Sequence, residues 1–220
     1  MEMNNSTLEG IYLVVDPAVD RSILLDRVKQ ALEAGVDILQ IWNHWPERIS
    51  KAEKELLITS LLELATEGDV PVLINEDWQL LKTTQIDGVH FDEKPENIEE
   101  IKEDVGRDFI SGITCGNDLE VVKWAGRHDI DYISFCAMFP SPSVSSCEIV
   151  RPEIVRKARK LTDLPLFLSG GITPDKIGSD LSELDFDGVA VISGILNANA
   201  PDRRTNEYQQ AIAKHRKEHE

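Results

Sequence analysis

Leu166-Phe167-Leu168-Ser169-Gly170-Gly171-Ile172-Thr173-Pro174 is the stretch that decides the fold, because a short apolar strand runs into a Gly-Gly turn there. The pattern returns in Gly188-Val189-Ala190-Val191-Ile192-Ser193-Gly194-Ile195. Glycine lets backbone N–H groups approach a phosphate, since no Cβ blocks the anion, and a helix that follows adds the positive end of its dipole. A phosphate site after the last two strands is typical of a (β/α)₈ barrel. The two turns therefore predict that α/β fold.

The length and charge of the chain limit what it can bind. Its 220 residues are 41% hydrophobic and 29% charged, which is typical of a globular protein and fits a single barrel domain over residues 1–220. The formal net charge of −17 argues against nonspecific binding to nucleic acid or to an anionic membrane. An anionic ligand must then be held by local dipoles, by a metal ion or by a few placed cations.

The cysteines and the N-terminus predict a cytoplasmic protein. Three cysteines, Cys115, Cys136 and Cys147, form an odd and sparse set that does not resemble a secreted disulfide framework. The segment from Met1 to Gly10 is polar and lacks the apolar core of a signal peptide. No apolar run approaches the ~18 residues that a membrane span needs.

Apolar strands and helical segments alternate along the whole chain, which favours a parallel sheet closed as a barrel. An open doubly wound sheet is the alternative, but Val15-Asp16-Pro17 follows the first strand in place of a Gly-rich dinucleotide turn. The predicted strands are Ile11–Val15, Ile38–Trp42, Val70–Ile74, Gly88–Phe91, Phe109–Ile113, Tyr132–Phe135, Leu166–Leu168 and Val189–Ile192. The predicted helices are Arg21–Glu33, Ala52–Thr66, Trp78–Thr84, Asn97–Val105, Leu119–Arg127, Pro152–Lys160, Pro174–Leu181 and Thr205–Lys217.

Three joints between a helix and the next strand share a small glycine-containing motif. They read Ala34-Gly35-Val36-Asp37, Ile86-Asp87-Gly88-Val89 and Phe186-Asp187-Gly188-Val189. Glycine can end a helix in the left-handed conformation and admits a tight turn. We interpret these glycines as structural, because barrel active sites lie at the opposite end of the strands.

Acidic residues follow the third and fourth predicted strands. Asn75-Glu76-Asp77 ends the third strand, and Asp92 and Glu93 follow the fourth. Carboxylates are the ligands that Mg²⁺ prefers, so these residues could hold that ion. The alternative is that Asp77 caps a helix while Asp92 and Glu93 are solvated loop residues.

His90 and the serines after the sixth strand are further candidates. His90 ends an apolar strand, where a packed, hydrogen-bonded histidine is the ordinary interpretation and an acid–base group the alternative. Ser141 and Ser143 belong to a long loop that could contact phosphate oxygens, or could simply be polar loop residues.

Short motifs along the chain together resemble one family, the thiamine phosphate synthase/TenI superfamily, from Ile11 to Ala200. They are Tyr12-Leu13-Val14-Val15-Asp16, Ala34-Gly35-Val36-Asp37 with Leu39-Gln40-Ile41, Pro71-Val72-Leu73-Ile74-Asn75, Asp87-Gly88-Val89-His90, Asp131-Tyr132-Ile133, Phe139-Pro140-Ser141-Pro142-Ser143, Gly170-Gly171-Ile172-Thr173 and Asp187-Gly188-Val189-Ala190-Val191-Ile192-Ser193. Each motif is weak alone, but their order and spacing are specific.

The resemblance implies a (β/α)₈ enzyme of thiamine biosynthesis that works with Mg²⁺. Such a synthase joins an aminopyrimidine methyl pyrophosphate to a thiazole phosphate and releases pyrophosphate. The implied thiazole phosphate site is Gly170, Gly171, Thr173, Ser193 and Gly194. Gln40 and Asn75 would face the pyrimidine or its pyrophosphate, and Thr114 stands where a substrate-contacting serine is usual. Glu76 stands at a metal-binding position, and Asp92 or Glu93 lies near the second one.

Three cationic positions of the family are replaced in this chain. Trp42 stands in place of an arginine, His44 in place of a lysine, and Val144 in place of another lysine, so the grip on pyrophosphate is weakened. Lys94, Arg48 or Arg151 could substitute from nearby loops.

Two alternatives to the synthase follow from these replacements. A TenI-like thiazole tautomer aromatase needs no pyrophosphate grip, and His44, His90 or Cys136 would then have to serve as its acid–base residue. A noncatalytic barrel that binds a phosphorylated ligand or a regulatory partner is the other. We expect a homo-oligomer that binds a phosphorylated thiazole or pyrimidine.

Overall fold

The computed structural model describes residues 8–141 and 148–219, and within them eight parallel strands close into a barrel. The strands pair in chain order, and β8 returns to pair with β1. The predicted (β/α)₈ fold is therefore confirmed. The strands are β1 (Gly10–Val15), β2 (Ile38–Ile41), β3 (Val72–Asn75), β4 (Gly88–Phe91), β5 (Ile110–Thr114), β6 (Tyr132–Phe135), β7 (Leu166–Ser169) and β8 (Gly188–Val191).

Helices surround the strands on the outside of the barrel. Each of α1, α2, α3 and α4 begins at a side-chain cap, supplied by Asp20, Ser50, Asn97 and Asp118 respectively. The helices are α1 (Arg21–Glu33), α2 (Lys51–Thr66), α3 (Ile98–Val105), α4 (Leu119–Arg127), α5 (Pro152–Arg159), α6 (Pro174–Gly178), α7 (Ser193–Leu196) and α8 (Pro201–His219).

Four helical segments differ from the prediction by more than one residue. Helix α6 ends at Gly178 instead of Leu181. The helix predicted after β3 is a short 3₁₀ helix, Trp78–Lys82, a form that proteins use in short connecting pieces of this kind. The short helix α7 was not predicted, since four residues show no periodicity. The last helix begins at Pro201 instead of Thr205, where proline fits the first helical position.

Four aspartates clamp neighbouring strands at the N-terminal end of the barrel. Each precedes an even-numbered strand and accepts a hydrogen bond from a backbone N–H near the start of the preceding odd-numbered strand. The four bonds are 2.7 or 2.8 Å long and join Asp37 to Ile11, Asp87 to Val72, Asp131 to Ser111, and Asp187 to Leu166. The repeat gives the helix-to-strand joints a structural role at the end opposite the cavity described below.

The barrel interior is a separate apolar cluster with polar groups above it. Tyr12, Tyr132 and Phe167 meet there edge to face, with ring centroids 5.5–5.7 Å apart. Gly112 makes room for Tyr132, since a Cβ on Gly112 would lie 2.0 Å from the tyrosine ring. The larger apolar cluster lies between the strands and the helices. Side chains therefore alternate between the two layers, and those that point inward build the floor of a cavity.

No helix in residues 8–141 and 148–219 has the length and apolar character that crossing a membrane requires.

Candidate active site

A cavity of about 710 Å³ lies at the C-terminal ends of the strands. Its floor is made by inward-facing side chains of β1, β2, β4, β5 and β6, and the turns after β7 and β8 form one wall. Its lining includes Tyr12, Gln40, Trp42, Asn75, His90, Asp92, Glu93, Thr114, Ser134, Cys136, Ser141, Ser169, Gly170, Gly171, Ile172, Thr173, Ser193 and Gly194. Barrel active sites occupy this end of the strands.

The wall after β7 and β8 carries backbone N–H groups without a protein acceptor. Within the described residues, the N–H groups of residues 170–173 and 193–195 make no hydrogen bond. Ile172 and Ile195 are nevertheless buried. Buried N–H groups are almost always paired, so this cluster is suited to an anion supplied by a ligand. Gly170 and Gly171 adopt left-handed backbone angles, with φ of 85° and 65°, which a residue with a side chain would resist.

A chain of hydrogen bonds crosses the cavity floor. The Tyr12 hydroxyl donates to the Gln40 side-chain oxygen and lies 2.7 Å from the Tyr132 hydroxyl. The Tyr132 hydroxyl is 2.9 Å from Nδ1 of His90, whose Nε2 is 2.9 Å from Oγ1 of Thr114. Ser134 ends the chain, 3.2 Å from Thr114. Polar groups that are paired in this way are held in fixed positions for a ligand above them.

Burial determines the protonation of this floor. It lowers the pKa of His90 to about 4 and raises the pKa of both Tyr12 and Tyr132. His90 is therefore neutral at pH 7, and the two tyrosines keep their protons. The floor offers a ligand uncharged hydrogen-bonding groups.

Trp42 and His44 stand at the mouth of the cavity. Ile38 and Gln40 point into the barrel from β2, and Trp42, two residues further on, points the same way. Trp42 is half-buried and lines the cavity. The His44 ring lies against its indole, with centroids 4.7 Å apart, and Nδ1 of His44 is 3.0 Å from the Asp16 carboxylate. His44 itself is exposed and does not line the cavity.

The acidic residues after β3 and β4 are only partly directed into the cavity. Asp92 and Glu93 line it, and Asn75 donates to the Asp92 carboxylate at 3.0 Å. The Glu76 carboxylate accepts a hydrogen bond from the Asp92 N–H and does not line the cavity. Partial loss of solvent raises the pKa of both Asp92 and Glu76, and the carboxylate of Glu93 adds to the effect at Asp92. Within the described residues, no three His, Cys, Asp or Glu side chains form a group that would hold a metal ion.

Asp77, which the sequence grouped with these acids, is engaged elsewhere. Its carboxylate is 2.7 Å from Nζ of Lys54, and it makes no side-chain cap to the 3₁₀ turn. The capping alternative from the sequence is therefore wrong for Asp77, because its carboxylate is paired with Lys54 instead of a backbone N–H of the turn.

A sequence profile described as thiamine monophosphate synthase matches residues 11–195. The chain belongs to the thiamine monophosphate synthase family. Relatives named thiamine-phosphate synthase agree with this assignment. The one from Clostridium perfringens strain 13 is 28% identical, over 96% of this chain and 100% of its own. The one from Staphylococcus haemolyticus is 30% identical, over 91% of this chain and 95% of its own.

Solved structures share the fold of this family member. The thiamine phosphate pyrophosphorylase from Pyrococcus furiosus superposes with a TM-score of 0.80 at 23% identity, covering 96% of this chain and 99% of its own. The tryptophan synthase alpha subunit from Legionella pneumophila gives a TM-score of 0.66 at 13% identity, covering 94% and 93%. At these sequence identities, the structural similarity shows that the proteins share the barrel fold and shows nothing about their activities.

This member of the thiamine monophosphate synthase family brings most of the predicted site residues to one cavity. Glu76 and His44 lie beside it, and Ser143 lies outside the described residues. Sequence reasoning missed the roles of Tyr12, Tyr132 and Ser134. Tyr12 and Tyr132 stand inside motifs that carried the family resemblance. Tyr132 and Ser134 are two residues apart on β6, so both point to the same side of the sheet.

The lining contains no lysine or arginine among the described residues. Lys94 lines an adjoining cavity of about 440 Å³, which shares Asp92, Glu93, Thr114 and Cys136 with the first. Arg48 and Arg151 line neither cavity. Of the three cations considered as substitutes, Lys94 is the one that adjoins the site.

Proposed function

We propose that this protein is a transferase of thiamine biosynthesis that couples an aminopyrimidine methyl pyrophosphate to a thiazole phosphate. One observation carries the proposal: the turns after β7 and β8, whose N–H groups have no acceptor in the described chain, line the same cavity as Gln40 and His90. A single site can then hold a phosphate at one wall and a polar heterocycle at the floor. Family membership supports the same reaction.

The geometry suits positioning more than acid–base chemistry. The thiazole phosphate is held by the N–H groups near Gly171 and Ser193, and the pyrimidine lies between Gln40, Thr114 and the Trp42 indole. The thiazole nitrogen forms a bond to the pyrimidine methylene carbon while the bond from that carbon to the pyrophosphate oxygen breaks. The electron pair leaves with the pyrophosphate, so no side chain needs to transfer a proton. Holding two substrates in attack geometry is a large source of rate enhancement.

Asp92 and Glu93 are the residues that would suit Mg²⁺ in this site. Asp92 and Glu93 line the cavity and, among the described residues, neither forms an ion pair. Partial burial raises the pKa of Asp92, and the neighbouring carboxylate of Glu93 adds to the effect. Mg²⁺ is commonly bound by one or two carboxylates together with substrate phosphates, so a third protein ligand is not required. Asp92 and Glu93 would hold the ion, which when bound neutralises charge on the leaving pyrophosphate.

A second candidate is a barrel that binds a phosphorylated ligand without turnover, and the absence of lysine and arginine from the described lining favours it. A pyrophosphate would meet the carboxylates of Asp92 and Glu93 at the side of the cavity away from the phosphate wall. A TenI-like aromatase, which handles only a phosphomonoester, is compatible with the same observation. Neither His44, which is exposed, nor His90, which is neutral and bonded at both nitrogens, is well placed to exchange protons there.

Turnover separates these functions. The purified protein is incubated with both substrates and Mg²⁺, and thiamine phosphate and pyrophosphate are measured together. The synthase forms both in equal amounts. Binding of thiazole phosphate without product would favour the noncatalytic barrel, and aromatisation of the thiazole tautomer alone would favour the TenI-like enzyme. We also propose that the protein is located in the cytoplasm and forms a homo-oligomer.

A further inference from the structure

The phosphate-binding turns are held from behind by two side chains that do not line the cavity. These are Lys176 from α6 and Tyr208 from α8. Nζ of Lys176 donates to the Gly171 carbonyl at 2.6 Å, and the Tyr208 hydroxyl donates to the Ile172 carbonyl at 2.8 Å.

These contacts determine where the neighbouring N–H groups point. In a trans peptide the carbonyl and the following N–H face opposite directions. The Gly171 carbonyl points to Lys176, so the Ile172 N–H points away from Lys176. The Ile172 carbonyl points to Tyr208, so the Thr173 N–H points away from Tyr208. Both N–H groups belong to the cluster that has no protein acceptor in the described chain.

Lys176 also brings a positive charge that no carboxylate neutralises. Its Nζ contacts the Gly171 carbonyl and the Phe139 ring, whose centroid is 4.0 Å away, and it forms no ion pair among the described residues. A cation on a carbonyl oxygen polarises that peptide and increases the positive charge on its N–H. The chain as a whole has a net charge of −17, but the Lys176 ammonium group provides a local positive field behind the anion site.

Tyr208 links the two turns. Its side chain is fully buried, and its hydroxyl oxygen would lie 2.5 Å from a Cβ built on Gly194. The same oxygen donates to Ile172 in the turn after β7. The Tyr208 hydroxyl therefore bonds to one turn and lies against the other.

We propose that Lys176 and Tyr208 are positioning residues for the phosphate, which act through the Gly171–Ile172 and Ile172–Thr173 peptides. The cavity can then hold a phosphomonoester although no lysine or arginine lines its described surface. The inference rests on the phosphate site of the proposed function, but not on turnover.

The test compares a ligand with and without its phosphate. Calorimetry measures the dissociation constants of thiazole phosphate and of the dephosphorylated thiazole alcohol, and inorganic phosphate is then used as a competitor. The variants are Lys176→Met, Lys176→Arg and Tyr208→Phe. Lys157→Met is the control, since it removes the same charge from an exposed position on α5.

Lys176→Met is expected to raise the dissociation constant of thiazole phosphate about tenfold, in the range of a charge acting on aligned peptide dipoles. Tyr208→Phe is expected to weaken the same ligand, while Lys176→Arg and Lys157→Met stay close to wild type. The alcohol should bind all five proteins equally. A merely structural role would weaken both ligands together.

Three results would overturn the inference. They are an unchanged preference for the phosphorylated ligand in Lys176→Met, an equal loss for both ligands, and failure of Lys176→Arg to retain affinity. Absence of phosphate binding by the wild-type protein would overturn the phosphate site of the proposed function as well. Binding that is normal in wild type and in Lys176→Met would overturn this inference alone.

Discussion

Nδ1 of His90 lies 2.9 Å from the hydroxyl oxygen of Tyr132. The other ring nitrogen, Nε2, lies 2.9 Å from Oγ1 of Thr114, so both nitrogens of the buried ring are engaged. Of the two interpretations open from the sequence, this contact pattern favours a packed, hydrogen-bonded histidine that orients its neighbours. A catalytic role of His90 stays a prediction. The neutral charge of the His90 ring at pH 7 has two measurable consequences.

His90 is expected to make the folded protein less stable in mild acid. Burial lowers its pKa to about 4, whereas an unfolded histidine titrates near ~6.5. Between these values the unfolded state binds more protons, so the free energy of unfolding rises with pH across this window. The contribution of His90 is about 3 kcal/mol between pH 4 and 6.5. Urea unfolding of wild type and His90→Gln at several pH values should show a flatter profile for the variant.

The protonation state can be measured directly. ¹⁵N chemical shifts of His90 should stay those of a neutral imidazole from pH 8 to pH 5, while exposed His44 provides the comparison in the same spectra. An inflection of the His90 shifts near pH 6.5 would show that the ring is accessible to protons and would contradict the buried network.

Ser193→Asp should remove phosphate binding. Ser193 lines the cavity at the start of α7, beside N–H groups that lack a protein acceptor in the described chain, and a carboxylate there would repel the anion. Ser193→Asn is the neutral control of the same shape and should keep most of the affinity for thiazole phosphate. Gly171→Asp is a poorer probe, because any Cβ there would lie 2.9 Å from Cβ of Phe139. Equal binding by the Asp and Asn variants would mean that the phosphate lies elsewhere.

Restoring the three family cations should raise the rate of thiamine phosphate formation. We expect slow turnover of the wild-type protein at micromolar substrate, since each charge-assisted contact to a phosphate is worth roughly 1.5–3 kcal/mol. Trp42→Arg, His44→Lys and Val144→Lys together should give a gain larger than the product of the single gains, because one leaving group engages all three. Val144 lies outside the described residues.

The matched control replaces the same three positions with glutamine, which is polar but uncharged. It should leave the rate near the wild-type value. A wild-type rate near the enzyme median of ~10 s⁻¹ would contradict the prediction and point to other residues, such as Lys94, as the pyrophosphate ligand.

Asp92→Asn should weaken the response of the enzyme to Mg²⁺. The carboxylate must be ionised to bind the ion, and its raised pKa means that affinity should begin to fall at a higher pH than for an ordinary aspartate. The apparent Mg²⁺ constant, measured from initial rates, is expected to rise about tenfold in Asp92→Asn, by loss of one of two carboxylates. Asp77→Asn is the control, since Asp77 is paired with Lys54. An equal effect in both variants would refute a role for Asp92 in holding the ion.

Local signals in the sequence were sufficient for most of the barrel. The observed bounds of α1, α4, β4 and β6 are those predicted, because a cap or an apolar run of strand length marks each of them. The 3₁₀ turn and α7 were mispredicted or missed because one turn of chain has too few residues for a periodic pattern. Alternation along β2 was enough to expect Trp42 at the mouth.

Contacts between distant residues could not be predicted in this way. Tyr12 and Tyr132 are 120 positions apart and meet only because the barrel closes and brings β1 and β6 across from each other. The direction of the Glu76 carboxylate, toward the Asp92 N–H instead of the cavity, depends on the left-handed turn at Glu76 itself.

Residue types and their spacing along the chain were sufficient to predict the family, the strand order and the two glycine turns. Tertiary structure alone decided the neutral His90 network, the cavity without a lysine or arginine in its described lining, and the placement of Lys176 and Tyr208 behind the turns. The physical reason is that protonation and peptide orientation depend on the burial and the partners of each group. Those partners come from strands and helices far apart in the chain, and only the closed barrel brings them together.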